Sequence, residues 1–105
     1  MKEITVAELK AMKVKNEDFQ LIDVREPHEY DLANLEGELI PMHDLIQQPE
    51  RVSRDKKVVI HCRSGARSAT IINALEKQFS FDNLYNLKGG ILAYAREIDP
   101  SILVL

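Results

Sequence analysis

The sequence predicts an α/β sandwich around a mostly parallel sheet, and three observations carry that prediction. Short apolar, β-branched runs alternate with segments of helical periodicity. The most hydrophobic of these runs, Lys57 to Cys62 (K-V-V-I-H-C), has helical segments before and after it, the setting of a central parallel strand buried on both faces. A chain of 105 residues, 45% hydrophobic and 30% charged, can build one core, so one domain over 1–105 is expected. No repeat, low-complexity tract or Ser/Gly linker interrupts it.

Taken in order, Thr5 followed three residues later by Glu8 has the spacing of a capping box, and Val6, Leu9 and Met12 recur at helical intervals, so a helix is expected over 5–14. Phe19 to Val24 (F-Q-L-I-D-V) reads as a strand whose end delivers Asp23 and Arg25 to one edge of the sheet. Glu26-Pro27 opens a short helix from which Tyr30 and Ala33 can face inward. Gly37 turns the chain into a second short strand at Leu39-Ile40, stopped by Pro41. Met42 to Ile46 forms a helical turn, and the polar stretch Gln47 to Lys57 reads as a surface crossover. After the Lys57–Cys62 strand a helix fits from Ser64, with Ala69, Ile72, Leu75 and Phe79 on its apolar side. Asn83 to Leu87 is a further strand, broken by Gly89-Gly90, and Ile91 to Ile98 is a last helix closed by Asp99-Pro100. The closing S-I-L-V-L is compatible with a docked strand or a frayed apolar tail.

Composition excludes several function classes. With 14 basic and 17 acidic residues and a net charge of −3, the chain lacks the basic field that holds phosphate backbones, so no nucleic-acid partner is expected. Nowhere do about 18 apolar residues run together, and the N-terminus lacks the pattern of a signal peptide, so no membrane partner is expected and a reducing, cytoplasmic setting is. The single cysteine rules out an intramolecular disulfide and a Cys-based metal cluster. His28 and His43 stand alone, without metal-ligand spacing.

That cysteine is the candidate reactive group. Cys62 falls at the carboxyl end of the most buried strand, where open α/β sheets bind ligands. In C-R-S-G-A-R-S, Gly65 allows a tight turn, successive N–H groups can converge, and a helix begins with its positive end toward the sulfur. Arg63 and Arg67 add two positive charges, and together these features favour thiolate, lowering the thiol below its free value of about 8.5. An inert buried thiol would gain nothing from such a loop. His61 precedes the cysteine in the strand and points to the opposite face, so it is not the general base.

The loop C-R-S-G-A-R-S, the upstream L-I-D-V-R-E-P-H-E-Y and the downstream L-Y-N-L-K-G-G-I-L-A-Y together resemble the rhodanese-like sulfurtransferase family over nearly the whole chain. The resemblance implies a three-layer sandwich, a mostly parallel five-stranded sheet with helices on both faces, and Cys62 cycling through a persulfide. More narrowly, A-N-L-E-G-E-L-I-P and A-Y-A-R-E-I-D-P-S resemble the rhodanese domain fused behind adenylating enzymes that activate sulfur-carrier proteins. Two departures bear on subfamily and partner: Asn34-Leu35-Glu36-Gly37 lacks a histidine common in single-domain members, and the segment to Pro41 is one residue short. Tyr94 stands where a tryptophan is usual.

The expected activity is transfer of a sulfane sulfur from a small anionic donor such as thiosulfate, through a Cys62 persulfide, to a thiol, cyanide or a sulfur-carrier protein. The backbone of Arg63, Ser64, Gly65, Ala66 and Arg67 would cradle donor and persulfide, with Arg63 binding the donor anion and Arg67 either joining it or pairing with an acidic neighbour. Asp23, Arg25 and Ser68 are supporting residues, the first two bracing the loop from the adjacent strand, with a plain ion pair at least as expected for them as contact with substrate, and the third steadying it with an inward hydroxyl. No cofactor is implied, because the protein itself carries the sulfur. Two other readings stand beside this one. Cysteine-dependent phosphatases and arsenate reductases close their loops with five residues between Cys and Arg, whereas four separate Cys62 from Arg67, a tighter ring that suits one sulfur atom. The fold also hosts non-catalytic interaction modules, which commonly lack the cysteine.

Overall fold

The computed structural model describes all 105 residues. Five strands form one parallel sheet: β1 (Glu3–Ile4), β2 (Gln20–Asp23), β3 (Glu38–Leu39), β4 (Val58–His61) and β5 (Leu84–Leu87), in the order β1-β5-β4-β2-β3. The helices are α1 (Val6–Val14), α2 (Pro27–Leu32), α3 (Met42–Gln47), α4 (Ala66–Phe79) and α5 (Gly90–Glu97), with a 3₁₀ turn at Pro49–Arg51. No helix is long and apolar enough to cross a membrane.

β4 is the central strand, as its composition demands, and all four of its residues are buried. Alternation along it splits the core. Val58 and Ile60 face α3 and α4, joining Leu45, Ile72 and Leu75, while Val59 faces α1 and α5, joining Leu9, Leu87 and Ile91. The sheet therefore has helices on both faces, α3 and α4 against one and α1 and α5 against the other. Thr5 caps α1 as its sequence predicts: its hydroxyl accepts from the Glu8 N–H at 3.1 Å, and its own N–H donates to the Glu8 carboxylate at 3.0 Å.

Two expectations change, and a third point that the sequence left open, the C-terminal segment, is decided. The fifth strand is β1, ahead of the first helix, where the sequence shows only Glu3-Ile4 between polar residues; Asn86 N–H donates to Lys2 O and Lys88 N–H to Ile4 O, so distant β5 defines it. The buried stripe of α4 runs through Ser68, Ile71, Ile72 and Leu75, with Ala69 and Phe79 half-buried. The stripe is rotated toward β5 because a polar residue, Ser68, occupies a core position. The C-terminal segment is not a strand: Ile102 and Val104 pack half-buried on the α1/α5 layer, and Leu103 and Leu105 stay exposed. The short segment before β3 closes on an Asx turn, Glu36 N–H to Asn34 Oδ1 at 2.9 Å with Glu36 at φ +64°, and Tyr30 donates its hydroxyl to Gly37 O at 2.8 Å.

Candidate active site

Parallel pairing brings the carboxyl ends of β2, β3 and β4 to one edge, with Asp23 opposite both His61 and Leu39. Cys62 is the first residue past β4, 1% exposed, and Gly65 at φ +106° reverses the chain so that α4 starts directly over the sulfur. Gly65 N–H donates to Cys62 Sγ at 3.1 Å. The first-turn N–H groups of Ala66, Arg67 and Ser68 donate to no backbone carbonyl, which leaves the positive end of α4 open to an anion. The Ser68 hydroxyl lies 3.5 Å from the sulfur.

Burial alone would push the Cys62 thiol up, but the hydrogen bonds of Ser68, through hydroxyl and N–H, and of the Gly65 and Ser64 N–H groups outweigh it, so the thiol lies below its ordinary value. The sequence assigned part of that effect to two arginine charges; Arg67 does attract the Cys62 thiolate, although both side chains make their hydrogen bonds elsewhere. Arg67 forms a two-pronged pair with Glu29 of α2, at 2.7 and 2.9 Å, and Arg63 donates Nε to Leu105 O at 3.0 Å. The Arg67 guanidinium, against the opposing effect of partial burial, holds the Glu29 carboxyl down to about 2. The same carboxylate accepts the Glu26 N–H at 3.1 Å, so one side chain caps α2 and fastens it to α4.

Asp23 and Arg25 are fully enclosed, and their pairing is structural. Arg25 Nη2 meets Asp23 Oδ2 at 2.9 Å and also donates to Ala33 O at 2.7 Å. They tie the end of β2 to the end of α2, the ion pair expected as the alternative role, and neither side chain hydrogen-bonds the cysteine loop, which corrects the direct bracing also expected. His61 lies opposite Asp23 on the α1/α5 face, as strand alternation requires. Its Nε2 is 3.8 Å from Asp23 Oδ2 and has no hydrogen-bond partner. Burial keeps the imidazole pKa low, although the Asp23 carboxylate opposes this.

The second glycine of Gly89-Gly90 presses on the loop from β5's side. Gly90 has φ +60°, a Cβ there would sit 2.4 Å from Arg63 O, and the next two amides, of Ile91 and Leu92, donate to Cys62 O and Arg63 O at 3.0 and 3.1 Å. Two further residues escaped sequence reading: Glu29, and Asn86 on β5, whose Oδ1 accepts the Ser68 hydroxyl at 2.6 Å and whose Nδ2 donates to Gly65 O at 3.2 Å. Glu29 carried a weak signal, the Glu26/Glu29 spacing of a capping box; Asn86 carried only its polarity inside an apolar strand.

Comparison with known proteins converges on the same group. The model of the rhodanese-like domain matches residues 5–97. A protein of Allochromatium vinosum named sulfurtransferase is 36% identical over 95% of this chain and 94% of its own length. MoeZ of Mycobacterium tuberculosis, named a probable adenylyltransferase/sulfurtransferase, is 32% identical over 96% of this chain and 26% of its length. The chain spans 36% and 26% of two of the curated relatives it matches, so it corresponds there to one part of a longer protein. The crystal structure of a rhodanese-related protein from Thermoplasma volcanium superposes over 100% of both chains with a TM-score of 0.83 at 27% identity. With the cysteine at the end of the central parallel strand, the amide-lined loop after it and a family match over most of its length, this chain belongs to the rhodanese-like domain family.

Proposed function

We propose that the chain, acting as one unit over 1–105, is a sulfurtransferase in which Cys62 carries the transferred sulfur. The observation that carries this reading is the Gly65 N–H bond to Cys62 Sγ beneath the open first turn of α4, a set of donors around a thiol with no acceptor competing for the outer position. Sulfurtransferase-named relatives support sulfur transfer in general. Our finer reading assigns the donor to small anions such as thiosulfate. The Cys62 thiolate attacks the sulfane sulfur, a new S–S bond forms as the bond to the sulfonyl sulfur breaks, and sulfite leaves with the electron pair. The persulfide is held by the amides of Arg63, Ser64, Gly65, Ala66 and Arg67. An acceptor thiolate or cyanide then attacks the outer sulfur, and Cys62 departs as thiolate, a step its lowered pKa assists.

Arg63 is the donor-binding candidate because it is exposed and its side chain makes a single hydrogen bond, Nε to Leu105 O, which leaves the rest of the guanidinium for an anion. MoeZ's name pairs adenylyl transfer with sulfur transfer, which supports a sulfur-carrier protein as a natural acceptor for this chain as well. Incubation with thiosulfate followed by intact mass measurement tests the core of the reading: wild type should gain one sulfur atom and Cys62→Ser none. No gain in wild type, or turnover of p-nitrophenyl phosphate in place of sulfur transfer, would overturn it.

A further inference from the structure

The Ser68 hydroxyl has one proton and three neighbours that could take it. Ser68 Oγ lies 2.6 Å from Asn86 Oδ1, 3.2 Å from Gly65 O and 3.5 Å from Cys62 Sγ. The first two are acceptors only, and the shortest contact is to Asn86, whose orientation is set by its Nδ2 donating to Gly65 O. With Cys62 as the neutral thiol, Ser68 in this arrangement turns a lone pair, not its proton, toward the sulfur. A neutral thiol completes the chain: S–H to Ser68 Oγ, Ser68 O–H to Asn86 Oδ1, Asn86 N–H to Gly65 O. A thiolate inverts it, since the charged sulfur needs the hydroxyl proton and Asn86 Oδ1 then loses its donor in a buried site.

We infer that Asn86 is a positioning residue for Cys62: it competes with the sulfur for the Ser68 proton and so restrains the thiol from full ionisation. This rests on Cys62 being the nucleophile and deepens that reading by naming what sets its protonation state. The restraint suits a residue that is attacking group in one half of the cycle and leaving group in the other, because nucleophilicity falls as a thiol becomes more acidic and the best attacking thiol has a pKa near ambient pH. Gly65 O keeps the Ala69 N–H as a partner when Asn86 is removed, so the loop retains its hydrogen bond to α4.

The charged and titratable groups around the sulfur are few, and all have their own places. Arg67 on α4 pairs with Glu29 of α2, Arg63 in the loop bonds Leu105 O, and Asp23, Arg25 and His61 lie together at the carboxyl ends of β2 and β4. None touches Asn86, so a change confined to Asn86 moves the thiol through Ser68.

The experiment is a pH titration of Cys62, by alkylation rate with iodoacetamide and by thiolate absorbance, in wild type, Asn86→Leu, Ser68→Ala and the double variant. Asn86→Leu keeps the number and branching of the side-chain heavy atoms and removes both hydrogen bonds; it should lower the midpoint and raise the thiolate population at pH values below it by about three- to tenfold, the size of one hydrogen bond redirected to sulfur. Ser68→Ala should raise the midpoint, and adding Asn86→Leu to it should change nothing further. Asn86→Ala carries the same expectation should the leucine variant fail to fold by circular dichroism. An unchanged or raised midpoint in a folded Asn86 variant overturns the proposal, as does an Asn86 effect that survives without the Ser68 hydroxyl. No sulfur donor enters the titration, so failure of Cys62 to gain sulfur refutes the transfer reading without deciding this one.

Discussion

Substituting Gly90 with alanine tests how the cysteine loop is held. The added Cβ would lie 2.4 Å from Arg63 O and 2.6 Å from both Arg63 C and Cys62 O, all backbone atoms of the loop and none the end of a flexible side chain. At φ +60° an alanine also carries the left-handed penalty of roughly 1–2 kcal/mol. Relief requires the start of α5 to move away, which forces a local overpacking cost of about 1–3 kcal/mol. It also stretches the Ile91 and Leu92 amide bonds to Cys62 O and Arg63 O. The sum, about 2–5 kcal/mol, is a large share of the roughly 5–15 kcal/mol that holds a typical domain together. Urea unfolding should show that loss, and Cys62 alkylation at neutral pH should change with it because Gly65 N–H and the sulfur move apart. Gly89→Ala provides the comparison: it is strained at φ +79°, but its methyl meets Ala93 within α5, so stability should fall while alkylation holds. A Gly90→Ala protein within about 1 kcal/mol of wild type, with unaltered alkylation, would refute the argument that α5 clamps the loop.

Three other outcomes are expected. Cys62→Ser should abolish both sulfur gain from thiosulfate and thiosulfate:cyanide transfer while unfolding in urea close to wild type, since serine is smaller than cysteine by little and the site is lined with donors. Glu29→Gln should cost about 1 kcal/mol at neutral pH, discounted for partial exposure of the pair. Because the native carboxyl is held at about 2, against 4.5 for the free group, its contribution is present above pH 4.5 and is lost as pH falls through about 2, so wild type and variant should converge in acid. His61 behaves in the opposite sense to a paired histidine: its native value lies below 6.5, the unfolded chain takes up the proton first, and stability falls as pH drops below about 6.5. His61→Phe should flatten that fall in urea midpoints measured between pH 7 and pH 5; a parallel slope in the variant would show that another group is responsible.

How far the sequence reveals this site depends on whether the signal is local. The K-V-V-I-H-C run, the Thr5/Glu8 capping box and the C-R-S-G-A-R-S loop each hold their physical cause within a few residues, and the structure reproduces each of them. β1 was invisible because two residues with no alternation become a strand only through β5, some eighty positions away. The pairing of Arg67 with Glu29 closes across 38 residues, and Ser68 with Asn86 across 18. The arginines illustrate the difference: their types and positions were legible, but the direction of each side chain was decided by α2 and by the C-terminal segment, elements that pack against the loop only once the sheet has formed. Ser68 in the buried stripe of α4 shows the same thing in reverse, since a hydroxyl at a core position is sensible only with Asn86 opposite it.

The docking of α5 sorts the polarity of the cysteine loop. Cys62 O and Arg63 O are turned outward to the amides of Ile91 and Leu92, and Gly65 O to Ala69 and Asn86, so these carbonyls are engaged on one side while the N–H groups of Ser64, Gly65 and Ser68 look toward the sulfur on the other. A cavity lined mainly by donors discriminates by electron density more than by shape. It favours a thiolate, a persulfide anion or an anionic donor, and the Ser68 hydroxyl is the acceptor it holds near the sulfur for a thiol proton. An acceptor thiol is therefore received best as its thiolate, and the rate of the second half-reaction should track the acceptor's own thiolate fraction across a series of small thiols.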